Sequence, residues 1–174
     1  NRALLDNLLS IFVCLNKKIP ILLCGKSGLS KTLSLSLLSQ EMKGIYSRNE
    51  FFKKYPGLFI IPYKGSLLSK PFEIKNIFKK AKELNEKQKN SKNKNLIVIL
   101  IDKIDLIEKS PYNPLKLIIS ELEENQELGF IGISNQPLEL LKLEQLKINI
   151  ILVQEPELQD LIMTAMAISN DINK

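Results

Sequence analysis

The sequence predicts a three-layer α/β domain in which helices cover both faces of a mostly parallel sheet. Five short apolar segments rich in Ile, Leu and Val alternate with longer segments of helical periodicity. A loop rich in glycine and serine directly follows the first apolar segment, as in many phosphate-binding α/β folds. The length of 174 residues, with 44% hydrophobic and 25% charged residues, suits one globular domain over residues 1–174.

The elements follow from this alternation. The predicted strands are short and apolar, and they cover residues 20–24, 58–63, 96–101, 129–134 and 148–153. The predicted helices cover residues 2–16, 31–43, 71–88, 113–125, 137–146 and 156–172. By periodicity alone residues 31–43 would also fit a strand, but the loop before them and Gly44 after them favour a helix. Ser69 and Pro71 are start signals for the third helix, and the Lys-rich segment 86–95 is predicted to be a solvated loop.

Composition excludes several classes of function. The net charge is +6, but only Arg2 and Arg48 are arginines, and the densest charge run, 79–94, lacks aromatic residues, so specific nucleic-acid binding is not favoured. No apolar run approaches the roughly 20 residues of a membrane-spanning helix. Cys14 and Cys24 have no histidine or further cysteine with which to bind zinc, so we expect buried, reduced thiols and a cytoplasmic setting.

Residues 25–32, GKSGLSKT, match the phosphate-binding P-loop pattern GxxxxGK[ST] except that Ser30 replaces the second glycine. Backbone N–H groups of such a loop, together with the start of the next helix, solvate a phosphate chain. Ser30 would cost about 1 kcal/mol if this position needs a positive φ. The alternative is a Gly/Ser turn that happens to precede a lysine. The predicted nucleotide-binding residues are Gly25, Lys26, Ser27, Gly28, Leu29, Ser30, Lys31 and Thr32, with Lys31 on the β and γ phosphates and Thr32 on Mg²⁺.

An acidic residue follows the third predicted strand, as a second phosphate-site motif requires. Asp102 ends the run LIVILID and is predicted to bind Mg²⁺. The next residue, where AAA+ ATPases normally carry the glutamate that orients the attacking water, is Lys103, and a charged lysine cannot accept a proton. Asp105, predicted to lie on a turn, is a weak substitute for the missing base.

Two further positions bear on catalysis. Asn135 follows the fourth strand, where AAA+ proteins place a polar residue that senses the γ-phosphate; equally, it could begin a turn and cap the next helix. An arginine finger is expected near the last strand, but Lys147 is the cation there, and lysine lacks the planar fork of arginine.

Several long segments resemble one family, the mysterin-type giant AAA+ ubiquitin ligases. They are LLDNLLSIFVCLNKKIPILLCGKSGLSKTLSLSLL, FIIPYKGSLLSKPFEIKNIF, LIEKSPYNPLKLIISELEE and GFIGISNQPLEL, and together they cover nearly the whole chain. The serine before the P-loop lysine is part of the resemblance.

The resemblance implies the large subdomain of a AAA+ module, with a five-stranded parallel sheet of order 5-1-4-3-2. It implies ATP as ligand on residues 25–32, Mg²⁺ on Thr32 and Asp102, and a sensor role for Asn135. The roles of the catalytic glutamate and of the finger arginine cannot be carried over from the family, because Lys103 and Lys147 occupy those positions. The helical lid that normally covers the adenine is not expected within 1–174, and neither are the family's cysteine-rich zinc elements.

The preferred hypothesis is a regulatory AAA+ module that binds Mg·ATP and hydrolyses it weakly or not at all. Its expected partners are neighbouring AAA+ modules of the same long chain, with the ubiquitin machinery in other domains. The alternatives are an active mechanochemical ATPase, a structural module that binds no nucleotide, and a DNA-remodelling AAA+ protein.

Overall fold

A five-stranded parallel sheet forms the centre of the fold, in the order β2-β3-β4-β1-β5. The computed structural model describes residues 2–89, 91, 94–136, 148–153, 155, 157–160, 162 and 166. The predicted sheet order is confirmed, and every predicted strand boundary lies within one residue of the observed one. The strands are β1 (Ile21–Cys24), β2 (Gly57–Lys64), β3 (Asn95–Asp102), β4 (Gly129–Ser134) and β5 (Asn149–Leu152).

Five helices are defined in the described parts of the chain, one before the first strand and four between strands. They are α1 (Arg2–Asn16), α2 (Lys31–Glu41), α3 (Pro71–Lys87), α4 (Ile104–Glu108) and α5 (Pro114–Glu124), with 3₁₀ turns at Gly44–Tyr46 and Phe52–Lys54. The short α4 and both 3₁₀ turns were not predicted, because segments this short carry no readable period. The predicted helix 137–146 and Lys147 lie outside the described residues, and the predicted helix 156–172 is described at only a few positions.

Two of the expected helix-end signals are wrong in detail. Helix α2 ends at Glu41, where the Met42 N–H donates to the Leu38 carbonyl at 2.8 Å, and Gly44 instead begins a 3₁₀ turn. At the start of α3, Lys70 rather than Ser69 precedes the first turn, and the Glu73 carboxylate accepts its N–H at 2.7 Å. Pro71 occupies the first helical position as predicted.

The core has two layers because alternate strand residues face opposite sides of the sheet. Ile21 and Leu23 belong to the layer under α1 and α2, whereas Leu22 and Cys24 belong to the layer under α3, α4 and α5. Cys14 and Cys24 are both buried, and neither takes part in a disulfide among the described residues. None of the helices within the described residues is long and apolar enough to span a membrane.

Gly65 joins the end of β2 to the turn that follows β3. Its N–H donates to the Asp102 carbonyl at 2.7 Å, one residue beyond the last pair of the β2-β3 ladder. A Cβ at this position would lie 2.6 Å from the Lys103 carbonyl oxygen and 2.7 Å from Cγ1 of Ile107. Glycine is therefore required here, and it ties the β2-α3 loop to the backbone of Asp102 and Lys103.

Replacing Gly65 tests this contact. Gly65→Ala should lower the free energy of unfolding by about 1–3 kcal/mol, because the new methyl group overpacks against backbone atoms. Gly28→Ala adds the same methyl where no atom lies within 4 Å, at a φ of 87°, so it should cost only about 1 kcal/mol of backbone strain. Urea denaturation of both variants measures the difference. Equal destabilisation would show that the Gly65 contact can relax freely.

Candidate functional site

The carboxyl ends of three neighbouring strands open at one edge of the sheet. The register pairs Cys24 of β1 with Ser134 of β4, and Ile133 of β4 with Asp102 of β3. Because parallel strands end at the same edge, the loop after β1 and the residues after β3 and β4 lie close together. The topology thus brings together the three segments in which the sequence predicts site residues.

The loop between β1 and α2 has the backbone form expected of a phosphate-binding loop. Gly28 and Ser30 both have positive φ, at 87° and 57°, and α2 begins at Lys31. Alternation of left- and right-handed residues turns backbone N–H groups toward one concavity, and the helix start adds partial positive charge. This geometry is suited to an anion.

Ser30 adopts the left-handed conformation that the sequence pattern assigns to glycine, with φ 57° and ψ 16°. Its carbonyl accepts hydrogen bonds from both the N–H and the hydroxyl of Ser34, each at 2.8 Å. These bonds hold the first turn of α2 in place. The position therefore has the positive φ at which a non-glycine residue costs about 1 kcal/mol.

Lys31 is only 5% exposed, and its ammonium group lies within the loop itself. Nζ donates to the Gly25 carbonyl at 2.6 Å and to the Lys26 carbonyl at 2.7 Å. Burial lowers the pKa of Lys31, while the nearby Asp102 and Asp105 act in the opposite direction. An anion entering the loop would meet an ammonium group that has already lost much of its water, which strengthens their attraction.

Lys26 links the loop to the segment after β5. Its Nζ lies 2.6 Å from Oε1 of Glu155, and this pair raises the pKa of Lys26 and lowers that of Glu155. Both side chains are largely exposed, so the pair contributes little to stability. No local pattern predicts this contact, because 129 residues separate the partners.

One pocket of about 430 Å³ collects most of the predicted residues. It is lined by residues 27–33 of the loop and α2, by Asp102 and Lys103 after β3, and by Ile133 and Asn135 at the end of β4. A magnesium ion suits this donor set, because Thr32 and Asp102 both line the pocket and carry oxygen ligands.

Lys103 lines this pocket in an unusual backbone conformation. It is half-buried, has φ 58° and ψ 48°, and directly precedes α4. The Leu106 N–H donates to its carbonyl at 3.0 Å. The lysine predicted to stand in place of the catalytic glutamate is therefore carried on a left-handed turn beside the pocket.

Asp105 differs from its predicted position. It lies in the first turn of α4, not on a turn between elements, and it is only 7% exposed. Its Oδ1 is buried without a hydrogen-bond partner in the described part of the chain. Asp105 is not among the described residues that line the pocket, although it is close enough to Lys31 to favour the charged form of that lysine and so to raise its pKa.

At the end of β4, Ser134 makes the turn that was an alternative role for Asn135. Its hydroxyl donates to the Gln136 carbonyl and accepts the Gln136 N–H at 3.2 Å. Asn135 itself is exposed and lines the pocket. Neither Arg2 nor Arg48 lines this pocket.

The fold and this site together define a AAA+ P-loop NTPase domain. The structure of the Aeropyrum pernix ORC1 protein in complex with DNA aligns with 95% of this chain and 49% of its own, at a TM-score of 0.56 and 16% identity. Caenorhabditis elegans PCH-2 aligns with 94% of this chain and 46% of its own, at a TM-score of 0.53 and 18% identity. Identities this low support the shared fold alone.

Within this class the chain belongs to the RNF213 AAA domain family, whose model matches residues 1–159. It is 31% identical over 155 residues to the zebrafish E3 ubiquitin-protein ligase rnf213-beta and 29% identical over 154 residues to human E3 ubiquitin-protein ligase RNF213. Each alignment covers 83% of this chain and 3% of the relative. The resemblance to giant AAA+ ubiquitin ligases is confirmed, and the chain corresponds to a small part of such a protein.

The strain at Ser30 gives a test of the loop geometry. Ser30→Gly should raise the free energy of unfolding by up to about 1 kcal/mol, because glycine adopts a positive φ without a steric penalty. Ser36→Gly, the same exchange on the exposed face of α2, should instead lower it by about 0.5 kcal/mol through helix propensity. Opposite signs in chemical denaturation are expected; destabilisation by both would contradict the left-handed conformation of Ser30.

Proposed function

We propose that this chain is a AAA+ module that binds Mg·ATP and hydrolyses it slowly or not at all. The main support is one pocket that combines the phosphate loop with Asp102 and, in the place of a catalytic glutamate, Lys103. The module would belong to a large ubiquitin ligase similar to RNF213, whose transfer activity would lie in other domains.

Nucleotide binding is supported by the loop and by its lysine. The positive φ at Gly28 and Ser30 shapes the concavity, and Lys31 supplies a buried cation beside it. Thr32 and Asp102 would hold Mg²⁺, which when bound neutralises charge on the β and γ phosphates. The AAA+ fold is consistent with this role, since nucleotide binding at this strand edge is its general property.

Weak hydrolysis is supported by the groups that line the pocket. A base must lie within hydrogen-bond reach of the attacking water, directly or through one further water. Lys103 places an ammonium group where a carboxylate would be needed, and an ammonium group cannot accept a proton; Asp102 is assigned to the metal. No other carboxylate among the described residues lines the pocket.

One observation favours a second candidate, an active ATPase that uses Asp105. A buried carboxylate oxygen without a partner is costly, and such groups occur at functional sites. The burial of Asp105 within α4 weighs against this role, as does its absence from the described residues that line the pocket. Loss of a measurable turnover in Asp105→Asn, with ATP affinity retained, would favour it.

As a module of a long protein, the domain would act through its stability and its contacts. A ligand that binds only the folded state stabilises it by mass action. Bound ATP would thus stabilise the contact between the P-loop side of this domain and neighbouring AAA+ modules of the same chain. ATP need not be hydrolysed for this purpose.

The binding site is tested by removing the Lys31 charge. Lys31→Met keeps the apolar stem but loses the ammonium group, so Mg·ATP affinity should fall by about tenfold to a hundredfold. Isothermal titration calorimetry of the 174-residue chain measures the change. Lys109→Met is the control, because this lysine is exposed and bonds the Gln136 side chain at 3.0 Å outside the pocket. Equal affinity in all three proteins would contradict the site.

Turnover should be close to the uncatalysed background even when the site is saturated. A missing general base costs about 10²- to 10⁴-fold in rate, and a missing arginine finger costs about 10³- to 10⁵-fold. Single-turnover hydrolysis of radiolabelled ATP by the chain, under conditions where binding is complete, provides the measurement. Rates of about 1 s⁻¹ or more, within the usual range for enzymes, would exclude the non-hydrolysing assignment.

A further inference from the structure

We propose that Lys103 makes the pocket selective for a nucleoside triphosphate over the diphosphate, by pairing with the terminal phosphate. This inference rests on the proposed function, because it requires that the pocket binds a nucleotide. It goes beyond that function because it assigns Lys103 a role in ligand selection, in addition to the absence of a catalytic base at this position.

The position of Lys103 relative to the loop supports this role. In P-loop proteins the loop backbone cradles the phosphates, and an acid at the end of a second strand of the sheet helps to hold the metal that the phosphates bind. Lys103 directly follows that acid and lines the same pocket as Lys31 and Asn135. The third phosphate is therefore the part of the ligand that would lie nearest to Lys103.

The backbone that carries Lys103 is held from both sides. The Asp102 carbonyl accepts the Gly65 N–H at 2.7 Å, and the Lys103 carbonyl accepts the Leu106 N–H at 3.0 Å. There is no room for even a Cβ between Gly65 and the Lys103 carbonyl oxygen. Because these contacts hold the backbone of the turn, the ammonium group stays within the reach of the four-carbon stem from the pocket lining.

The other lysines near the site have different partners. Lys26 pairs with Glu155 at 2.6 Å, and Lys109 bonds the side chain of Gln136 at 3.0 Å. Lys31 bonds two carbonyls of the loop. Within the described residues, the Lys103 ammonium group has no hydrogen bond or ion pair, so pairing with a phosphate requires breaking no contact seen there.

The balance of charge also favours a triphosphate. The charged side chains that line the pocket within the described residues are Lys31, Asp102 and Lys103. A glutamate in the place of Lys103 would face the γ-phosphate with a second negative charge, whereas the lysine adds an attractive contact. A diphosphate has no group at this position, so its affinity should not depend on residue 103.

The test compares ATP and ADP affinities, both with Mg²⁺, for three forms of the 174-residue chain. Lys103→Asn removes the cation, and asparagine tolerates the left-handed backbone, so folding should be preserved. Lys103→Arg keeps a cation at the same place. Lys109→Asn is the matched control for the loss of a nearby lysine outside the pocket.

We expect the wild-type chain to bind ATP more tightly than ADP. In Lys103→Asn the ATP affinity should fall about tenfold or more, the value of a charge-assisted hydrogen bond, while ADP affinity should change by less than about twofold. Lys103→Arg and Lys109→Asn should keep the wild-type preference. Equal losses for both nucleotides, or no loss, would overturn the role of Lys103. Absence of binding by either nucleotide to the folded wild-type chain would instead contradict the proposed function.

If Lys103→Asn does not fold, as judged by thermal unfolding without nucleotide, the wild-type chain and Lys103→Arg still decide the question. Equal ATP and ADP affinities in both proteins would overturn the inference, whereas a preference for ATP that both share would support it.

Discussion

The site depends on the parallel register of β1, β4 and β3. Only this order of strands places the loop after β1 beside the acid after β3, with the end of β4 between them. The register is specified by burial, because a shift of one residue would exchange the two faces of each strand and expose residues of both core layers. The same apolar alternation that builds the core therefore also aligns the polar residues at the sheet edge.

Under the proposed function, the pocket combines features that favour binding with features that oppose hydrolysis. Its cations are a buried lysine held by the loop and a second lysine held on a strained turn. Anions are attracted to such a site, but a reaction that must transfer a proton from water to a base is not assisted by it. The tight packing of Gly65 against the β3-α4 turn shows that the backbone around Lys103 is as closely built as the core. A site of this kind is suited to retaining its ligand.

Much of the fold could be predicted from the sequence because it depends on local patterns. Five apolar segments separated by helical periods predict the strand boundaries to within one residue. The GKSGLSKT loop identifies the carboxyl end of the first strand. The position of Asp102, Lys103 and Asn135 at the sheet edge could be predicted because these residues follow the ends of predicted strands, whereas their roles remain predictions. The sheet order came from the family resemblance, since periodicity does not state which strands are neighbours.

Other features depend on contacts that have no local pattern. The five-residue α4 was missed, and with it the burial of Asp105, because one helical turn has no detectable period. The close approach of Gly65 to Lys103 and the pairing of Lys26 with Glu155 join segments far apart in the chain. The left-handed backbone at Lys103 could not be predicted either, since lysine has no preference for it.

The central claim is that the pocket retains a nucleoside triphosphate without consuming it. It is tested most directly by identifying the nucleotide that remains with the purified chain. The chain would be loaded with Mg·ATP, freed of unbound nucleotide, incubated and then denatured, and the released nucleotide would be separated by chromatography. The account predicts intact ATP in close to one-to-one ratio with the protein. Recovery of ADP, or of no nucleotide, would contradict it.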